Sequence, residues 1–215
     1  MRAQRHNSAA ISILRWCSYS CLLAGAVLLL SSIYFWVNAH LYQALQSRRL
    51  NEPAQSEPAG RGCQAPQARA GSSIGRLEIP GVGLSVVVLE GDDADTLRLG
   101  AGRVPGTALP GEGSNMAIAA HRDTFFRPLR NIHTGDVIRF TTRTESLVYE
   151  VESTEIVTPG HVEVLNATAK PTLTLITCYP FFYLGSAPDR FVVRARLISS
   201  EPRGRASACS VAGLG

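Results

Sequence analysis

The stretch Thr172-Leu173-Thr174-Leu175-Ile176-Thr177-Cys178 decides the fold of this chain. Its apolar and β-branched residues are typical of a β-strand, and the strand ends on a cysteine. Twelve residues further on, Arg190 opens a second strand, Phe191–Leu197. A thiol at the tip of a strand is exposed where a loop can admit substrate, and a guanidinium at the start of the next strand can lie beside it.

Another apolar strand, Asn115–Ala120, is followed directly by a histidine, His121. Cys178, His121 and Arg190 at three strand ends are the parts of a thiol acyl-transfer site. A cysteine taken alone is as often a small core residue, but the matching histidine and arginine favour a nucleophile. Because the thiolate is the reactive form, such a cysteine needs a neighbouring base or cation.

The chain from Ile74 onward reads as short strands separated by turn residues. A short helix is expected over 92–99, a loop over 100–113 and a helical turn over 126–132. Seven or eight strands with little helix indicate an all-β barrel or sandwich. The expected strands are Gly75–Ile79, Leu84–Leu89, Asn115–Ala120, Val137–Thr142, Leu147–Val157, Thr172–Thr177 and Phe191–Ile198.

The cysteine and arginine strands carry a resemblance to a known family. Leu175–Cys178 is similar to the nucleophile strand of the sortases, which are membrane-anchored cysteine transpeptidases. Arg190–Ala195 is similar to the strand that bears their arginine. The resemblance covers Ile74–Leu197, over half of the chain.

The histidine segment resembles the same family. His121-Arg122-Asp123, followed by Phe125–Leu129, looks like its histidine motif, and together with Cys178-Tyr179-Pro180 it is most similar to the class D type. Ala120 stands where the family often has glycine before the histidine. The resemblance implies a closed β-barrel of about eight strands with short helices, preceded by one N-terminal transmembrane helix.

The resemblance also implies roles for the site residues. Cys178 would be the nucleophile that forms an acyl thioester, His121 the general acid and base, and Arg190 the stabiliser of the oxyanion or of the substrate carbonyl. Arg194 and Arg196 share the parity of Arg190 on the strand, so they compete for its role or else form a solvated face. The sequence position nearest to Cys178 favours Arg190.

Four further residues near the cysteine are candidates for binding substrate. Phe181, Phe182 and Tyr183 in the following loop either wall a groove for an apolar substrate residue or pack under the loop, and the sequence leaves both open. Thr177 can assist through its backbone or hydroxyl, although a threonine in a strand needs no function.

The N-terminal region has the composition of a membrane anchor. Residues 16–39 contain no charge, and Arg2, Arg5 and Arg15 precede them without any acidic residue. This pattern predicts a transmembrane signal-anchor with the N-terminus in the cytoplasm and the catalytic domain outside the membrane. The alternative is a signal peptide cleaved after Val37-Asn38-Ala39, but the apolar region is longer than usual for one.

The anchor divides the chain into five predicted parts. These are a cytoplasmic N-terminus, the anchor, a flexible linker, a catalytic domain and a tail, over residues 1–15, 16–39, 40–73, 74–198 and 199–215. The linker is rich in Gln, Ala, Pro, Gly, Glu and Arg and cannot bury a core.

The basic composition does not indicate a nucleic-acid partner. The pI is near 9.0, but residues 71–200 carry eleven Arg and one Lys against fourteen carboxylates, a net charge of −2. The globular part therefore lacks the positive surface that a polyanion requires. No spacing of metal ligands and no phosphate-binding loop stands out, so we expect neither a metal nor another cofactor.

Four other cysteines accompany Cys178. Cys17 and Cys21 lie in or beside the apolar segment, Cys63 in the linker and Cys209 in the tail. They form no recognisable disulfide framework, and whether Cys63 and Cys209 pair is left open.

The resemblance implies a transpeptidase that cleaves an LPXTG-like sorting signal in exported proteins and passes the acyl part to a primary amine of the cell wall or of a protein. The alternatives are an L,D-transpeptidase, a papain-like peptidase or a non-catalytic, membrane-tethered β-domain. An L,D-transpeptidase places its histidine two residues before the cysteine and a papain-like enzyme carries its cysteine on a helix, and neither pattern is present here. The sequence names neither the substrate nor the acceptor.

Overall fold

The computed structural model of the protein describes residues 3–51 and 71–203. Helix α1 (Ala3–Asn51) contains one segment, Arg15–Tyr34, that is long and apolar enough to cross a membrane. The helix continues past residue 39 into the first part of the predicted linker. Cys63 and Cys209, linker residues 52–70 and tail residues 204–215 lie outside the described residues, and the division into five parts stays a prediction.

In residues 71–203 eight strands form a closed barrel, as expected from the sequence. Around the barrel the strands follow the order β1-β2-β3-β4-β7-β8-β6-β5. The strands are β1 (Ser73–Ile79), β2 (Leu84–Glu90), β3 (Ala101–Arg103), β4 (Asn115–Ala119), β5 (Val137–Thr141), β6 (Glu145–Val157), β7 (Thr172–Tyr179) and β8 (Asp189–Pro202).

The barrel is filled by the inward-facing side chains of its strands. Leu77, Ile118, Phe140 and Leu175, from four different strands, are each fully buried. Successive residues of a strand point to opposite faces, so the residues between them point outward. On β7 this alternation turns Leu173, Leu175 and Thr177 inward and Cys178 outward.

Short helices connect some of the strands. Helix α2 (Ala94–Leu99) begins after Asp93, whose carboxylate accepts hydrogen bonds from the backbone of Asp95 and Thr96. The hydroxyl and the backbone N–H of Thr96 lower the pKa of Asp93 from its ordinary value. The 3-10 helices are Pro80–Val82, Arg127–Asn131 and Val162–Leu165, and the second of them confirms the helical turn expected over 126–132.

Strand β3 lies where the sequence predicted only a loop. It pairs in parallel with β2, and Arg103 lies opposite Glu90. The Arg103 Nε donates to the Glu90 carboxylate at 2.8 Å, and both residues are buried. A Cβ on Gly102 would come within 2.0 Å of the Gly91 carbonyl oxygen. The glycine that made this segment resemble a loop is therefore what lets the two backbones approach.

One parallel pair determines where the site forms. Strands β4 and β7 run side by side, with Asn115 opposite Thr172 and Ala119 opposite Ile176. Both strands therefore end at the same edge of the barrel. The long connection between them contains β5, β6 and two of the 3-10 helices, Arg127–Asn131 and Val162–Leu165.

Candidate active site

The cysteine and the arginine predicted from the sequence are direct neighbours across two strands. Cys178 on β7 lies opposite Arg190 on β8 in an antiparallel pair. Residues paired in this way project from the same face of the sheet, with Cβ atoms roughly 4.5–5.5 Å apart. Cys178 is a free, partly buried thiol, and its strand position differs from the helix-borne cysteine of papain-like peptidases.

The histidine reaches the same edge through the parallel pair. Ala119 lies opposite Ile176, and the Ala120 N–H donates to the Ile176 carbonyl at 3.2 Å. Continuing this register by two residues brings His121 level with Cys178. The imidazole is exposed and makes no hydrogen bond or ion pair with any residue in the described parts of the chain.

Thr177 joins the histidine strand to the cysteine strand. Its buried hydroxyl donates to the Ala120 carbonyl at 2.7 Å, beside both His121 and Cys178. A buried hydrogen bond at this point fixes the relative height of the two strand ends. The sequence suggested assistance by this hydroxyl without identifying its partner.

Arg190 differs from its two competitors in its contacts. Its Nη1 donates to the Asp189 carbonyl at 2.9 Å and to the Ala187 carbonyl at 3.4 Å. Among residues 71–203 no carboxylate forms an ion pair with it. An arginine without a carboxylate partner keeps its charge available to a substrate oxygen.

The competing arginines are engaged on the outer face of the barrel. Arg194 binds Glu155 at 3.4 Å, and Arg196 binds Glu150 at 2.8 Å. Both also lie farther along the strand, opposite Thr174 and Thr172 rather than Cys178. Their contacts fit the solvated face that the sequence offered as the alternative.

A cavity of about 280 Å³ adjoins this group of residues. Arg190 and Asp92 are part of its lining, whereas Cys178 and His121 are not. Four of its apolar wall residues come from the segment between β6 and β7, and the others come from strands or from beside them. The four are Pro159, Val162, Val164 and Leu165, and the others are Val104, Ala119, Val157, Ile176 and Val192. The sequence analysis did not predict this groove, because its wall residues are single apolar residues that follow no helical or strand periodicity.

The groove wall is held by a buried asparagine. The Asn115 amide donates to the carbonyls of Val164 and Asn166 at 3.0 and 3.1 Å, and its Oδ1 accepts from the Thr174 hydroxyl at 2.7 Å. Asn115 is 1% exposed. It therefore fixes the segment between β6 and β7 against β4 and β7.

The three loop aromatics have different surroundings, and none of them lines this groove. Phe181 packs edge-on against Phe191, with ring centroids 5.4 Å apart. Phe182 is exposed and lies under the guanidinium groups of Arg127 and Arg130, at 5.9 and 5.4 Å. A part for Phe181, Phe182 and Tyr183 in binding substrate stays a prediction.

Arg122 also contacts this loop, and the sequence analysis did not identify it. Its Nη2 donates to the carbonyls of Tyr183 and Gly185 at 2.8 and 3.1 Å. Its guanidinium carbon lies 5.8 Å from the centroid of the Tyr183 ring. The only signal in the sequence was its position directly after His121.

Comparison with known proteins gives a consistent result. The Sortase domain family model matches residues 77–198. The chain is 30% identical over 171 residues to sortase D of Bacillus subtilis. The aligned region covers 75% of this chain and 86% of that protein.

Solved structures agree with the sequence comparison. A sortase D5 transpeptidase of Clostridium perfringens is similar with a TM-score of 0.57 and 32% identity, over 62% of this chain and 83% of that one. Sortase A of Listeria monocytogenes aligns with a TM-score of 0.57 and 25% identity, over 62% and 92% of the two chains. Sortases are generally membrane-anchored, and Arg15–Tyr34 is a candidate for that anchor. The chain therefore belongs to the sortase family of cysteine transpeptidases.

Proposed function

We propose that Cys178, His121 and Arg190 form the catalytic centre of this sortase. The single observation that carries the proposal is the strand register. Cys178 lies opposite Arg190, and the pairing of Ala119 with Ile176 brings His121 level with the thiol. A thiol flanked by an imidazole and a guanidinium has both the base and the cation that nucleophilic cysteines require.

The proposed reaction has two acyl-transfer steps. The Cys178 thiolate attacks the carbonyl carbon of the scissile peptide bond, and the developing oxyanion accepts hydrogen bonds from Arg190. The C–N bond then breaks, and His121 protonates the leaving amine. In the second step an acceptor amine attacks the thioester, gives up a proton to His121 and releases the thiolate. The new amide replaces the old one, so the transfer needs no nucleotide.

We propose that the groove beside Arg190 receives the apolar part of the substrate. An LPXTG-like signal begins with leucine and proline. Moving apolar side chains from water into such a pocket favours binding by about 25 cal/mol for each Å² buried. Arg190 lines the groove and also lies opposite Cys178. A peptide bound there as an extended strand would present its carbonyl between the two.

We further propose the cellular arrangement. Arg2, Arg5 and Arg15 hold the N-terminus in the cytoplasm, and the catalytic domain lies outside the membrane. The substrates are exported proteins with a C-terminal LPXTG-like signal, and the acceptor is a primary amine of the cell wall or of another protein.

The acyl-enzyme provides the direct test. The full-length protein in detergent is incubated with a peptide containing Leu-Pro-Glu-Thr-Gly, with and without triglycine. We expect an adduct on Cys178 that hydroxylamine releases, and a triglycine product that requires the thiol.

Matched variants separate the cysteines in the same experiment. Cys178→Ala should abolish both adduct and product, whereas Cys63→Ala and Cys209→Ala should keep activity within about threefold, because neither cysteine has a histidine and an arginine matched to it in the sequence. An adduct on another cysteine, or undiminished transfer by Cys178→Ala, would refute the proposed mechanism.

A further inference from the structure

The structure holds His121 through its backbone, since the His121 carbonyl accepts the Phe126 N–H at 3.0 Å. The side chain is exposed and has no hydrogen-bond partner in the described residues. A general acid and base must nevertheless lie within hydrogen-bonding reach of the proton that it transfers. Its placement therefore depends on what holds the backbone on either side of it.

Both chain neighbours of His121 are tied to elements that lead to Cys178. On one side the Ala120 carbonyl accepts the Thr177 hydroxyl at 2.7 Å. On the other side the Arg122 Nη2 donates to the Tyr183 and Gly185 carbonyls at 2.8 and 3.1 Å. Hydrogen bonds from a guanidinium are about twice as strong as neutral ones, so the second tie is a substantial one.

The loop that Arg122 binds joins the other two catalytic candidates. This β7–β8 loop, residues 180–188, begins two residues after Cys178 and ends two residues before Arg190. The Arg190 Nη1 donates at 3.4 Å to the carbonyl of Ala187, at the far end of the same loop, and at 2.9 Å to that of Asp189, the first residue of β8. One loop therefore receives hydrogen bonds from the residue that follows the histidine and from the arginine opposite the thiol.

The loop buries little apolar surface at its tip. Leu184 is 99% exposed and Phe182 is 75% exposed. Contacts with guanidinium groups therefore contribute much of what holds the tip in place. Farther along the chain, Phe126 and Leu129 are fully buried and hold the following segment in the core of the barrel. Removing the Arg122 guanidinium should consequently release the loop without unfolding the barrel.

From these contacts we propose that Arg122 is a positioning residue of the transpeptidase. It binds the backbone of the β7–β8 loop and so holds the imidazole of His121 in register with Cys178. This inference rests on the proposed function, because it takes Cys178 and His121 as the reacting pair. It assigns Arg122 no contact with the substrate.

The test measures the reactivity of Cys178, which requires no knowledge of the substrate. Full-length protein in detergent is alkylated with iodoacetamide between pH 6 and 9, and the rate at Cys178 is followed by mass spectrometry of its peptide. For Arg122→Gln we expect the rate at pH 7 to fall about tenfold and the alkylation curve to move to higher pH, because a displaced base no longer supports the thiolate. Arg122→Lys, which keeps the charge but loses the forked donor, should recover part of the rate.

Two comparisons separate positioning from general damage. Arg139→Gln changes an exposed arginine on β5 and should stay within twofold of wild type at every pH. In a His121→Ala background, Arg122→Gln should cause no further loss, because a residue that acts through the imidazole has nothing left to position. The melting temperature of each variant is recorded alongside, and Arg122→Lys provides the comparison should the glutamine variant unfold.

Each outcome has a distinct meaning. Wild-type rates and pH dependence in both Arg122 variants would overturn the inference, as would an equal effect of Arg122→Gln with and without His121. In contrast, a wild-type Cys178 no more reactive than in His121→Ala, with no transfer to triglycine, would refute the proposed function itself. Peptide turnover adds a further criterion, since loss of positioning should lower kcat more than it raises KM.

Discussion

Cys178 and Arg190 lie directly opposite each other on adjacent antiparallel strands, twelve residues apart in sequence. The loop between them is short, and the Arg190 guanidinium donates to the carbonyl oxygens of Ala187 and Asp189 near the loop's end. The pairing of the two strands is thus sufficient to place the Cys178 thiol and the Arg190 guanidinium on the same face of the sheet. This relationship makes the role of the arginine accessible to a direct test.

We predict that Arg190→Ala lowers kcat/KM about 10²–10³-fold, the usual cost of losing an oxyanion donor. Arg190→Lys should recover only part, because an ammonium lacks the planar fork that can bond two oxygens. Peptide turnover measures the loss, and thermal unfolding should show little change, since among residues 71–203 Arg190 forms no ion pair with a carboxylate.

Arg194→Ala and Arg196→Ala are the matched controls for that experiment. Arg194→Ala removes one partly exposed ion pair with a glutamate on β6, and Arg196→Ala removes two. Such pairs contribute about 0–1 kcal/mol each. Their activity should fall by less than about fivefold. If Arg194→Ala lost most of its activity while Arg190→Ala lost little, the catalytic role would belong to Arg194 and not to Arg190.

We predict that Thr177→Val weakens both the fold and the reaction. Valine keeps the shape of threonine but leaves the buried Ala120 carbonyl without its hydroxyl donor, at a cost of about 1–3 kcal/mol. Turnover should fall as well, because this bond aligns the strand ends that carry His121 and Cys178. Urea unfolding and peptide kinetics measure the two effects.

Thr154→Val provides the comparison, since Thr154 is exposed on β6. Its effect on the free energy of unfolding should stay within about 0.5 kcal/mol. If Thr177→Val matched wild type in stability and turnover, the hydrogen bond to Ala120 would not be what aligns the strand ends that carry His121 and Cys178.

We predict that Asn115→Ala raises KM for the Leu-Pro-Glu-Thr-Gly peptide about tenfold and changes kcat much less. The amide holds the carbonyls of Val164 and Asn166, so its loss should loosen the groove wall rather than the reacting atoms. Steady-state kinetics separate the two constants.

The exposed Asn131, at the end of a 3-10 helix, gives the control variant Asn131→Ala, for which both constants should remain within twofold. A fall in kcat with unchanged KM for Asn115→Ala would exclude a role of this wall in binding.

We predict that the protein is anchored with its C-terminus outside the cytoplasm, because the charges before the apolar segment are Arg2, Arg5 and Arg15. Alkaline phosphatase fused to the C-terminus should be active, a cytoplasmic reporter at the same position inactive, and the protein should resist carbonate extraction. A mature N-terminus at His40 would instead identify a cleaved signal peptide.

Local features of the sequence predicted an all-β barrel or sandwich, and the family resemblance decided for the barrel that the structure shows. Residues 172–178 and 190–197 are rich in apolar and β-branched side chains, as β-strands are. The short connection between the two runs indicates that their adjoining ends pair. The joint presence of a cysteine and a histidine after apolar runs likewise indicated strand ends. These features depend on periodicity and composition, which a single sequence displays directly.

The rest depended on contacts between distant residues. Strand β3 was hidden because Ala101-Gly102-Arg103 contains no strand-forming residue, and its pairing with β2 and β4 and the contact of Arg103 with Glu90 appear only in the fold. The groove was hidden because its wall is fixed by Asn115, about fifty residues away in sequence. The hydrogen bonds of Arg122 are made to backbone carbonyls, which leave no trace in residue types.

The parallel pairing of β4 with β7 also bears on when the site comes into existence. The bond between Thr177 and Ala120 joins residues 57 positions apart, and contacts of such high order form late, after the intervening chain has been arranged. The strand ends that carry His121 and Cys178 therefore meet only after the chain that contains β5 and β6 has been closed into a loop between them.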